Sequence, residues 1–147
     1  MKKTTEQTSL HNNLEKMSIQ DILIKINSED KKIAQCVYQS IKQISQLVEK
    51  VTSKISKNGR LFYIGSGTSG RLGILDASEC PPTFGVDNNI VIGMIAGGDE
   101  AIRNSIESAE DNTIQAWREL KKYDINKQDI VIGISASGST PYVLGGL

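Results

Sequence analysis

Two short loops, and the carboxylates near them, are the parts of this sequence whose residue types and spacing could do chemistry. Gly65-Ser66-Gly67-Thr68-Ser69-Gly70 follows one apolar run and Ser135-Ala136-Ser137-Gly138-Ser139-Thr140 follows another. Each offers hydroxyls and main-chain N–H groups at a strand-to-helix junction, where the positive end of a helix attracts an anion of phosphate size. Gly-Lys-Ser/Thr does not occur, which excludes a nucleoside triphosphate loop. Gly65-x-Gly67-x-x-Gly70 has the form of a dinucleotide fingerprint, but the acidic residue due about 20 positions later, at the end of the next strand, is missing. Pro81-Pro82 predicts that the helix after the first loop is cut short, which counts again against a dinucleotide and puts Glu79 at a helix end close to that loop. Two such loops together point to a phosphorylated small molecule as ligand.

The elements that must position these loops follow from the apolar pattern. Residues 61–64, 90–95 and 129–134 are near-continuous apolar runs, as strands buried on both faces of a parallel sheet are. Ser18 predicts an N-cap, with Asp21 in the first turn and Ile19, Ile22, Leu23 and Ile26 on one face of a short helix ending near Asn27-Ser28. A long helix is then expected over residues 29–57, with Ile33, Val37, Ile41, Ile44, Val48, Val51 and Ile55 in a stripe suited to the core or to a partner helix. Asn58-Gly59 ends it. Asp99 is expected to cap a helix carrying Ile102 and Ile106. A further helix over residues 111–123 should turn Ile114, Trp117 and Leu120 to the core, and Pro141 opens a last one. Strands alternating with helices predict an α/β fold with a doubly wound parallel sheet and its ligand at the strand carboxyl ends. Residues 1–57 form an arm, with His11 in solvent, and helices; residues 58–147 form the α/β part.

Composition narrows the classes of partner. The 147 residues are 38% hydrophobic and 23% charged, ordinary values for a globular domain. Lys+Arg and Asp+Glu balance at 17 each, so charge makes no case for nucleic acid or an anionic membrane. No apolar signal core or long apolar span occurs, and the default location is the cytoplasm. Cys36 and Cys80 lack metal-ligand spacing, so both are expected as reduced thiols, with no metal site.

The stretch from Gly65 through Arg71-Leu72-Gly73-Ile74-Leu75-Asp76-Ala77-Ser78-Glu79-Cys80-Pro81-Pro82-Thr83-Phe84 to Gly85 resembles the signature of the N-acetylmuramic acid 6-phosphate etherases, lyases of the sugar isomerase (SIS) fold. Thr5-Glu6-Gln7, Ile26-Asn27-Ser28-Glu29-Asp30, Gly93 to Gly98, Ser108-Ala109-Glu110-Asp111 and Ile134 to Tyr142 agree with it, so nearly the whole chain is covered. The resemblance implies an SIS domain, a homodimer with sites near the subunit interface, and no cofactor. The implied reaction is loss of D-lactate from the C3 ether of the sugar phosphate, giving N-acetylglucosamine 6-phosphate. It implies roles by position: Glu79 as proton donor, Glu110 as the base at C2, and Ser66, Gly67, Thr68, Ser69, Ser135, Ser137, Gly138, Ser139 and Thr140 as binding residues. Asp76, Glu107 and Asp111 are read as structural, and Arg71 as pairing a carboxylate or supporting the phosphate. Family members carry Arg where this chain has Ser139. Their chains run to about twice this length, the size of a full domain with a helical region, so an N-terminal portion is implied, its third strand left with an open apolar edge. The alternatives are a non-catalytic sugar-phosphate-binding regulator of the glucokinase regulatory protein type, or an inactive fragment.

Overall fold

The structure, a computed structural model, describes Thr5 and residues 7–147. Lys2, Lys3 and Glu6, the centre of the Thr5-Glu6-Gln7 match, lie outside the described residues. The chain divides into two compact units, one running to Lys50 and one from Val51 to Leu147.

In the first unit Ser18 caps α1 (Ile19–Gln39) as expected, accepting a hydrogen bond from the Asp21 N–H at 3.1 Å. The helix does not end at Asn27-Ser28. Neither residue removes a donor or forces a turn, and each costs at most about 0.7 kcal/mol in mid-helix. The break falls at Ser40, before α2 (Ile41–Ile55). The apolar stripe explains its place. Spacings of four and three alternate through Ile19, Leu23, Ile26, Ile33 and Val37, with Asp30 filling one position, and again through Ile41, Ile44, Val48, Val51 and Ile55. Between Val37 and Ile41 there is one residue too many, and that residue is Ser40, where the helix is interrupted. No residue of α1 or α2 is fully buried: Ile33, Val37, Ile41, Ile44 and Val48 of the stripe are exposed, and Val51 and Ile55 are half-buried. His11 is half-buried rather than free in solvent, its Nε2 3.3 Å from Glu29 Oε1.

The second unit is built on three parallel strands, β1 (Leu61–Gly65), β2 (Val91–Ile95) and β3 (Ile130–Ile134), in the order β2-β1-β3. Gly65 is level with Ile95 on one side and Ile134 on the other, so all three carboxyl ends lie together. One face carries α3 (Gly67–Phe84). On the other, α5 (Gln115–Lys122) and α6 (Pro141–Gly146) close over Phe62, Ile64, Ile92, Met94 and Ala96, with Ala116, Leu120, Tyr142 and Val143 from the helices. Helices on both faces of a parallel sheet make the doubly wound arrangement that the apolar runs imply. Tyr142, fully buried, donates its hydroxyl proton to Glu119 Oε2 at 2.5 Å, joining α6 to α5. At the opposite end of the sheet Arg60 Nη2 lies 2.7 Å from Asp129 Oδ2, locking β1 to β3 beside a nearly buried carboxylate.

Three expectations about helices are corrected. Pro81 and Pro82 do not cut α3 short: it runs on to Phe84 with both prolines in its closing turn, and ends at Gly85 in the left-handed conformation (φ 65°). Only the N–H groups of Pro81 and Pro82 are missing, and the Gly85 N–H still closes the last turn on the Pro81 carbonyl. The helix after Asp99 is a single turn, α4 (Glu100–Arg103); it excludes Ile106, and the Asp99 side chain does not cap it. Trp117 and Ile114 are 45% and 50% exposed, because α5 turns Ala116 and Leu120 inward; Lys121 Nζ instead sits 5.1 Å from the Trp117 ring centre.

Candidate active site

The first loop closes on itself at a spot where space is scarce. Ser66 is the N-cap residue of α3, with extended backbone (φ −127°, ψ 158°), and Gly67 begins the helix at φ 52°. One turn on, a Cβ at Gly70 would lie 2.6 Å from Ile95 Cγ1 and 2.9 Å from the Gly65 carbonyl oxygen. Only glycine lets the helix start this close to the strand ends. The first-turn N–H groups of α3 have no acceptor within the helix and face outward with the positive end of its dipole.

The Ser66 hydroxyl does not cap its own helix. It donates to Glu110 Oε2 at 2.9 Å. Glu110 comes from a 3₁₀ turn (Ala109–Asp111) that follows Ser108 in the left-handed conformation (φ 61°), and Ala109 anchors that turn on the core. The chain after β2 thus returns over the mouth of the first loop. Between them is a cleft of about 320 Å³ lined by Ser66, Gly67, Arg71, Asn104, Glu107 and Glu110, among others. Glu110 is exposed to it.

The second loop lies beside the first because β3 pairs with β1. Its hydroxyls bond to one another: Ser135 Oγ is 2.8 Å from Thr140 Oγ1 and accepts from the Gly138 N–H at 3.1 Å, while Ser137 Oγ accepts from the Ser139 N–H at 3.2 Å and its hydroxyl at 3.1 Å. Ser139 therefore braces the loop from within. Thr68 is exposed and Ser69 half-buried in the first turn of α3.

Glu79 is not part of this group. It lies twelve residues after Gly67, about 18 Å along the helix axis, exposed and directed away from the strand carboxyl ends because α3 runs antiparallel to β1. The expectation of Glu79 near the loop fails because α3 has already made about three turns by Glu79, before it reaches Pro81. In its place the cleft holds Glu107, which sequence reasoning left as structural. No local pattern signals it, because Glu107 lies before the 3₁₀ turn and is brought to the cleft by the course of the chain through Ser108. Beside Glu79, burial first and Asp76 second push the Cys80 thiol up, away from nucleophilic reactivity. Among the described residues no three His, Cys, Asp or Glu side chains converge where a metal ion would sit, and no helix is long and apolar enough to cross a membrane.

Residues 43–147 match the family model of the glucokinase regulatory protein N-terminal SIS domain. The chain is 57% identical over 143 residues to the N-acetylmuramic acid 6-phosphate etherase of Christiangramia forsetii, covering 97% of this chain and 52% of that protein. It is 55% identical over 145 residues to the etherase of Bacteroides fragilis (99% and 52%), and 56% identical over 145 residues to that of Porphyromonas gingivalis (99% and 53%). The chain thus spans about half the length of the curated relatives it matches. With β1, the Gly65–Gly70 loop, β2 and β3 all inside the matched region, this chain belongs to the SIS-domain family whose model describes the N-terminal domain of glucokinase regulatory protein.

Proposed function

We propose that the chain provides the sugar-phosphate site of an N-acetylmuramic acid 6-phosphate etherase, a carbon–oxygen lyase. The observation that carries this reading is the Ser66–Glu110 contact, which sets a carboxylate at the mouth of an anion-binding helix start. The similarity to etherases over almost the whole chain supports it. The phosphate rests on the N–H groups of Gly67, Thr68 and Ser69, with the Ser135–Thr140 loop closing from the β3 side. In the open-chain sugar the C2 hydrogen is acidified by the C1 aldehyde, and Glu110 removes it. The C3–O bond then breaks, its electron pair leaving with the lactyl oxygen, which takes a proton from a second acid as it departs. Water adds across the resulting double bond, its hydroxyl at C3 and a proton at C2. Two carboxyl groups and no cofactor balance this sequence.

Glu79 can serve as that second acid only from a second copy, given its distance along α3. The exposed part of the α1 and α2 stripe supports such pairing, and we place the active unit as a cytoplasmic homodimer whose sugar-phosphate domain begins at residue 58. The test is D-lactate release from N-acetylmuramic acid 6-phosphate by the purified chain, by Glu110→Gln and by Glu79→Gln. Release by the parent and loss in both variants supports the reading. Binding of the sugar phosphate with no release by the parent overturns it in favour of a regulator of the glucokinase regulatory protein type.

A further inference from the structure

We propose that Arg71 is the positioning residue that couples the anion-binding loop to Glu110, by clamping the segment that carries Glu110 onto α3. This rests on the etherase reading for its kinetic consequence but not for its structural one.

Arg71 stands one turn into α3, four residues after Gly67. Its Nε donates to the Ile102 carbonyl at 2.8 Å and its Nη2 to the Asn104 carbonyl at 3.1 Å. Those carbonyls belong to the end of α4, a single turn whose last C=O groups have few donor partners of their own, and a cation is favoured there. From Asn104 the chain crosses to Glu110 without a strand or a full helix to hold it. On that stretch Ala109 is anchored by packing and Glu110 by the Ser66 hydroxyl. Without the clamp, the Asn104 end of this crossing would keep only the main-chain bond from the Asn104 N–H to the Glu100 carbonyl.

The guanidinium suits the task because it is planar, always charged, and presents two N–H groups in a fixed fork to two carbonyls two residues apart. A lysine could reach one of them. Because Arg71 and the phosphate-binding N–H groups share the first turns of one helix, any shift of α3 carries the Glu110 segment with it. The distance from bound phosphate to base is thereby held constant. A base displaced by about 1 Å loses roughly a hundredfold in rate.

The experiment is hydrogen exchange by mass spectrometry on the purified chain without ligand, for the parent, Arg71→Lys and Arg71→Gln, with lactate-release kinetics on the same samples. The expected result is exchange over residues 104–111 faster by roughly tenfold or more in Arg71→Gln, intermediate in Arg71→Lys, and unchanged in β1. In kinetics, kcat falls by about tenfold or more with KM within about threefold, and Arg71→Lys recovers part of it. Unchanged exchange over residues 104–111, or faster exchange throughout the unit, overturns the clamp. A rise in KM at constant kcat also overturns it, in favour of direct contact with the ligand. Should the parent release no lactate, the etherase reading fails while the exchange result still decides the clamp.

Discussion

At the scale of single residues the candidate site turns on the Glu110 carboxylate held by the Ser66 hydroxyl. On the proposed etherase reading, Glu110→Gln keeps the size of the side chain and removes the base, so lactate release should fall by about 10²–10⁴-fold with sugar-phosphate binding retained by calorimetry. A second residue-scale pair governs folding instead. Asp129 accepts from the Arg60 N–H, Nε and Nη2 and from the Asn126 N–H, and its side chain is 2% exposed. The Arg60 guanidinium first, and these N–H groups after it, hold its carboxyl below the ordinary value of 3.8. A depressed carboxylate contributes stability that is complete above the unfolded pKa and lost as pH falls through the lower folded value. Asp129→Asn should therefore cost about 2–3 kcal/mol near neutral pH. The difference in melting temperature from the parent should narrow as pH is taken below 3.8. A gap that stays constant down to strong acid would show that the pair is not the source. Burial first, and Asp76 second, push the Tyr63 hydroxyl up to about 12, so its contribution runs the other way and is lost as pH rises above the ordinary value of 10.

At the scale of elements, the start of α3 and the stripe of α1 and α2 make separate demands. Gly70→Ala places a Cβ against Ile95 and the Gly65 carbonyl, and the backbone side of that contact cannot yield cheaply. An overpacking cost of about 1–3 kcal/mol is expected in denaturant unfolding, with weaker sugar-phosphate binding because the helix start is lifted from the loop. A neutral substitution would mean that the helix can shift without disturbing the site. The stripe is tested differently. Val48 is 54% exposed, so if the proposed homodimer pairs through this stripe, Val48→Lys should leave far-ultraviolet circular dichroism unchanged while light scattering shows a monomer. A dimer that survives this change would place the interface elsewhere.

At the scale of the whole molecule, the sequence by itself determined what depends on local pattern. The three apolar runs imply parallel strands, Ser18 caps α1, Asn58 turns the chain at φ 62° into β1, and both hydroxyl-rich loops sit at strand carboxyl ends. Each follows from short-range sterics or from apolar periodicity, which need no knowledge of distant residues. Only the tertiary structure decided what depends on competition between neighbours or on contacts across the chain. Pro81 and Pro82 read as a stop, yet α3 runs past them to Phe84, and the twelve helical steps from Gly67 to Glu79 are what take Glu79 away from the loop. Asn27-Ser28 read as an end, but no geometric breaker stands there, and the extra residue in the stripe moved the break to Ser40. Trp117 read as core, but α5 is rotated by the smaller Ala116 fitting the sheet. The meeting of Ser66 with Glu110 spans 44 positions of sequence, and Arg71 reaches Ile102 and Asn104 over 31 and 33. Residue types announced that such groups could act together. Which of them do was settled by β2 lying beside β1, since that pairing brings the crossing after β2 back over the first loop.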